Sequence, residues 1–142
     1  VKLNGDELAW LAGLKKLEAL SLQRTGVDGK VLKNLKSIET LAVLNLSGND
    51  INDGDMELIA NFKGLEVLSL ADTKITGAGI GRLEGMKSLN ELNIMRCSVY
   101  DGDIEWFLSM PNLRIVYAEG CNLSGMAIQS VITRFPMLAI FR

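Results

Sequence analysis

A register of 24 residues runs through this chain, and it restricts the possible folds more than any other property of the sequence. Leu17, Leu41, Leu65, Leu89 and Leu113 are each 24 apart, as are Leu20, Leu44, Leu68, Leu92 and Val116. Leu22, Leu46, Leu70, Ile94 and Ala118 form a third column, and Val27, Ile51, Ile75, Val99 and Leu123 another. Between these lies a small polar column of Thr25, Asn49, Thr73, Cys97 and Cys121. Self-similarity of this period means one supersecondary unit stacked on copies of itself. No unit can bury its apolar face alone, so neighbours complete one another's core. The chain reads as a solenoid.

Within a unit the physics is legible. Residues 19–23 alternate polar and apolar, and the same pattern recurs at 43–47, 67–71, 91–95 and 115–119, which is the signature of a half-buried strand. Each strand is followed by helical spacing and then another strand, so the strands must be parallel. Only alternate positions are apolar, so one sheet face is covered by helices and the other is open. The helical stripe is Leu32, Leu35 and Ile38, repeated as Met56, Ile59, Phe62, then Ile80, Leu83, Met86, then Ile104, Phe107, Met110. Gly29, Asp53, Gly77, Asp101 and Gly125 stand where the helices begin, and the two aspartates are expected to be N-caps. Strands pack about 4.8 Å apart and helices about 8–10 Å apart, so the stack should bend with its strands inside. Leu20, Leu44, Leu68 and Leu92 should be almost fully buried.

Leu41, Leu44, Leu46, Asn49 and Ile51 fit an LxxLxLxxNxI signature position by position. The chain thereby resembles the leucine-rich repeat family along essentially its whole length. Thr25 and Thr73, with glycine or Asp–Gly turns behind them, look most like the 24-residue repeats of bacterial, notably planctomycete-like, proteins. The resemblance implies an α/β fold: a right-handed solenoid arc with a parallel β-sheet on the concave face and short helices on the convex face. It also implies non-catalytic binding of a protein or peptide along the concave sheet.

As a domain the chain is expected to be one leucine-rich-repeat unit over 1–142. A partial first repeat occupies 1–16, five repeats of 24 or 25 residues occupy 17–137, and a partial last strand occupies 138–142. Val1 falls in phase with Thr25, and Leu138 with Leu113 after one extra residue, so the chain is read as a piece of a longer protein. The competing reading has the Leu8–Leu14 segment as an N-terminal cap.

Composition excludes several function classes. Fifteen basic against seventeen acidic residues give a net charge of −2 with no basic stripe, which argues against nucleic-acid binding. No apolar run reaches the ~18 residues a membrane span requires. There is no histidine, which removes the commonest general base and metal ligand. No cofactor or metal is expected, and the chain is not read as an enzyme.

Several motifs have plainer explanations than chemistry. The Gly77–Gly81 segment has GxGxG spacing, not the GxGxxG of a dinucleotide loop, and is read as a turn that permits close packing. Asp50, Asn52, Asp53 and Asp55 suggest calcium, but Gly54 stands where the EF-hand pattern needs an acid or amide. Cys97 and Cys121 lie on adjacent rungs with parallel Cβ vectors, poor geometry for a bridge. Both are expected to be free, buried thiols. Trp10 and Trp106 share a helix-flank column, and partial burial is their default.

The open face can be written out as columns running Ala19 to Ile115, Ser21 to Tyr117, Gln23 to Glu119 and Arg24 to Gly120. Its first rungs are small. Its last two are large and mixed: Glu91, Asn93, Met95, Arg96, Ile115, Tyr117 and Glu119. Aromatic, Met and Arg side chains are enriched at interfaces. These seven residues are the candidate binding site for a protein or peptide partner. The alternatives are a structural spacer within a longer solenoid and, more distantly, a carbohydrate or small-ligand surface near Tyr117.

Overall fold

The computed structural model describes residues 3, 4 and 6–142; the in-phase placement of Val1 lies outside them. Six strands form one parallel sheet in sequence order: β1 (Ala19–Ser21), β2 (Val43–Asn45), β3 (Val67–Ser69), β4 (Glu91–Asn93), β5 (Ile115–Tyr117) and β6 (Ala139–Phe141). The register is the one the sequence columns predict, with Leu20, Leu44, Leu68, Leu92, Val116 and Ile140 in one row.

Each strand is three residues rather than five, yet the pairing continues beyond it. Leu22 N–H donates to Asn45 C=O and Arg24 N–H to Ser47 C=O, and both bonds recur at every rung up to Ile94 and Arg96. A second short ladder follows at the turn, where Asp50, Lys74, Ser98 and Asn122 donate back to Val27, Ile51, Ile75 and Val99.

Helices return the chain behind the sheet: a 3-10 turn at Ala9–Gly13, α1 (Lys30–Leu35), a 3-10 turn at Asp53–Asp55 running into α2 (Met56–Ile59), α3 (Gly77–Gly81), a 3-10 helix at Asp101–Ser109, and α4 (Gly125–Arg134). Every residue of the predicted helical stripe is buried, and Phe107 is among the largest fully buried side chains. Leu44, Leu68 and Leu92 are 0% exposed. Leu20 departs from expectation and is only partly buried, because β1 has a strand neighbour on one side alone.

The inward polar column satisfies the backbone where the strand turns away. The buried Asn49 donates from Nδ2 to the Leu22 and Leu46 carbonyls at 2.7 and 2.9 Å, and its Oδ1 accepts from the N–H groups of Thr25 and Gly26. Thr25 and Thr73 donate their hydroxyls to Leu22 and Leu70 C=O. Cys97 and Cys121 stand in the same column and donate Sγ–H to the Leu70 and Ile94 carbonyls, each at 3.1 Å. They are free thiols, and burial pushes both upward in pKa.

The helix starts differ from the expectation in an informative way. Asp53 and Asp101 do not cap their own helices. The preceding position does: Asn52 Oδ1 accepts from Gly54 N–H, Thr76 Oγ1 from Ala78 N–H, and Ser124 Oγ from Ala127 N–H. The aspartates reach to the next rung. Asp53 accepts from Thr76 N–H at 2.8 Å and Thr76 Oγ1 at 2.6 Å, and Asp101 accepts from the same two groups of Ser124. The Ser124 N–H holds the Asp101 carboxyl below the ordinary aspartate range. Asp55 and Asp103 accept from Asn52 and Tyr100 N–H within their own rungs.

Acidic rungs therefore alternate with glycine rungs, and each needs the other. A Cβ on Gly29 would overlap the Asp55 carboxylate, one on Gly77 the Asp103 carboxylate, and one on Gly79 that of Asp53. A Cβ on Gly81 would stand 2.9 Å from Cε2 of the Trp106 indole. The glycines of α3 make room for side chains of the rungs on either side, and the space a phosphate would need holds carboxylates.

Candidate functional site

The open sheet face is built on the β4 and β5 rungs. Parallel pairing sets Glu91 beside Ile115 and Asn93 beside Tyr117. Met95, Arg96 and Glu119 follow as each strand turns out. All seven predicted residues lie on this one face, partly or fully exposed. Asn93 is turned inward locally, its Oδ1 accepting from Met95 N–H at 3.1 Å.

Two members of the face were not anticipated. Phe141 on β6 sits beside Tyr117, their rings stacked at 5.5 Å between centroids with planes 22° apart. Phe141 is 54% exposed. Its number exceeds that of Tyr117 by 24, so the column rule reaches it. The other is Asp72, which binds the Arg96 guanidinium through two donors, the Nη2–Oδ2 distance being 2.7 Å. That hydrogen bond holds the Asp72 carboxyl below its ordinary range and raises Arg96. Arg24 approaches the same carboxylate at 3.7 Å. Its side chain crosses Gly48, where a Cβ would be 2.5 Å from Arg24 Cγ.

Arg24, Gly48, Asp72, Arg96 and Gly120 share left-handed backbone, with φ of 53°, 70°, 55°, 58° and 75°. Glycine occupies such positions without strain, whereas an L side chain does not. Three charged residues stand there nonetheless, and they form the ion-paired rim of the face.

Two residues of the presumed open columns are buried. Ser47 is 4% and Ala71 6% exposed. Both are small and lie below larger neighbours, and Ser47 Oγ is 2.8 Å from Ser69 Oγ. The early rungs thus present even less surface than their composition suggested. On the helical side, Trp106 packs over Gly81 and keeps 39% exposure, whereas Trp10 is 63% exposed. A groove of about 450 Å3 lies at the helix-to-strand edge, lined by Phe107, Met110, Phe135 and Met137 among others. Among the described residues no group of three or more acidic or thiol side chains is placed to hold a metal ion. No helix among them is long and apolar enough to cross a membrane.

Stacked parallel rungs, a leucine core and an asparagine-type inner column define a leucine-rich-repeat solenoid. Residues 37–60 match the model of the leucine-rich repeat family. Among solved structures the chain is similar to an internalin C2 from Listeria monocytogenes, with a TM-score of 0.71 and 22% identity, covering 93% of this chain. It is also similar to a second internalin of that organism, inlF, with a TM-score of 0.70 and 16% identity over 94% of this chain. It spans only 54% and 36% of those two chains. At such identities the likeness is one of fold. No curated protein sequence matches significantly.

Proposed function

We propose that this chain is a non-catalytic interaction module that binds a protein or peptide across the β4–β6 end of its open sheet. The single observation that carries this reading is the stacked Tyr117–Phe141 pair, with Phe141 54% exposed beside the half-buried Ile115 and Met95. A monomer gains little by holding two aromatic rings toward water. Rigid aromatic area on a pre-formed ladder is what an interface anchor needs, since little side-chain entropy is lost on contact. The ionisable groups support binding over catalysis: both thiols are shifted upward by burial, away from the reactive thiolate.

Selection of a phage-displayed random dodecapeptide library on the immobilised chain tests this. Selected peptides should lose about 1–3 kcal/mol of affinity on Tyr117→Ala or Phe141→Ala, as truncated anchors do. They should be indifferent to Met137→Ser, at a residue that lines the edge groove and is 73% exposed. A library without binders, or binders that follow Met137 and ignore Tyr117, would refute the reading. The spacer interpretation would then take its place.

A further inference from the structure

The distribution of charge around the aromatic pair goes one step further. The four arginines from residue 96 onward are all engaged within the chain. Arg96 is held by Asp72, Arg114 donates to the Pro111 and Leu113 carbonyls, Arg134 pairs with Glu105 at 2.7 Å, and Arg142 donates to Leu123 C=O. Glu91 and Glu119 are different. Among the described residues neither makes a hydrogen bond or an ion pair; Glu119 feels only the through-space charge of Arg96. Both belong to the open face, Glu119 two residues along the chain from Tyr117 and Glu91 one rung back and two residues before it. The aromatic stack is thus flanked by two available carboxylates, while the nearby cations already have acceptors.

Resting on the binding reading above, we infer that the partner segment presents a basic side chain, arginine or lysine, to the Tyr117–Phe141 stack between Glu91 and Glu119. Three features converge on that chemistry. Aromatic faces attract a cation through their quadrupole, and desolvation by a bound partner strengthens the attraction. The carboxylates offer unsatisfied acceptors at distances a long side chain spans. An acidic partner segment would meet both carboxylates, and the cation closest to them, Arg96, would first have to leave Asp72. The Arg24–Asp72–Arg96 rim limits how far a basic segment extends toward that edge, so the preference is for one or two cations rather than a polybasic run.

The test is the composition of the peptides selected on the wild-type chain, followed by titration of a leading peptide and its counterpart with Arg or Lys replaced by Gln. Enrichment of basic residues over the naive library is expected. The glutamine counterpart should bind about tenfold more weakly, the sum of two pairs of roughly threefold each. Glu91→Gln and Glu119→Gln should each weaken the basic peptide about threefold and leave the glutamine counterpart unchanged. Raising salt should narrow the gap between the two peptides. Peptides that depend on Tyr117 but lack basic enrichment, or a gap that survives both glutamine substitutions, would overturn this inference and leave the binding site standing. Peptides that ignore Tyr117 would overturn the binding site itself.

Discussion

Gly79→Ala separates the rung-packing account from ordinary helix reasoning, because the two give opposite signs. Gly79 lies in the middle of α3, and replacing a helical glycine by alanine normally stabilises by about 1 kcal/mol. Here the new Cβ would overlap Asp53 Oδ1 and lie 3.0 Å from its Cγ and 3.3 Å from Ile75 Cγ2. Asp53 would have to swing away and give up its bonds to Thr76 N–H and Thr76 Oγ1, at 2.8 and 2.6 Å. Hydrogen bonds to a charged group contribute about 1.5–3 kcal/mol each, and water recovers part of that at a half-buried site. After subtracting the helix gain, the substitution should destabilise by about 1–3 kcal/mol. Urea denaturation followed by circular dichroism gives the number, and a cycle with Asp53→Ala gives the cause. In the Asp53→Ala background the obstruction is gone, so Gly79→Ala should be neutral or stabilising by up to about 1 kcal/mol. If Gly79→Ala alone stabilises, or costs the same in both backgrounds, the interlocking of acidic and glycine rungs is refuted.

Leu68→Ala in the centre of the stack should cost about 2–5 kcal/mol in the same assay, and Leu20→Ala distinctly less, because Leu20 is only half covered; equal costs would contradict the end effect at β1. The depressed carboxyls of Asp72 and Asp101 set the acid limb of stability. Each contributes stability that is present above the ordinary aspartate value of 3.8 and is lost as pH falls through its lower folded value. Asp101→Asn should therefore flatten the decline of the unfolding midpoint below pH ~4 while changing its slope little near neutrality.

The repeat register was open to reading because a parallel ladder pairs residues one period apart. Leu44, Leu68 and Leu92 occupy one column in the sequence and one row in the sheet. The same logic reached Met95, Ile115 and Tyr117, since side chains two apart on a strand share a face. What escaped was any contact between unlike positions of neighbouring rungs. Asp53 looks like a cap for the helix it opens, and nothing local says that it serves Thr76, 23 residues on. Ser47 and Ala71 were assigned to the open face by alternation, which is blind to side-chain height. Phe141 was within reach of the column rule, but it stands on the last strand, where no further repeat drew attention to it. The pairing of Arg96 with Asp72 crosses rungs at equal phase and was present in the columns; only the left-handed backbone brings the two side chains together.

The alternation of acidic and glycine rungs gives this molecule a parity. Its true modular unit is a pair of turns, 48 residues, within which one turn supplies carboxylates and the other the hollows that receive them. Adding or deleting a single turn would set two carboxylate-bearing turns against each other, with like charges facing and no hollow between them, or two hollow turns with nothing to fill them. Lengthening by whole pairs preserves every fit. The length of such a scaffold, whether altered by duplication or by design, is therefore expected to change in even steps, even though its leucines count in single ones.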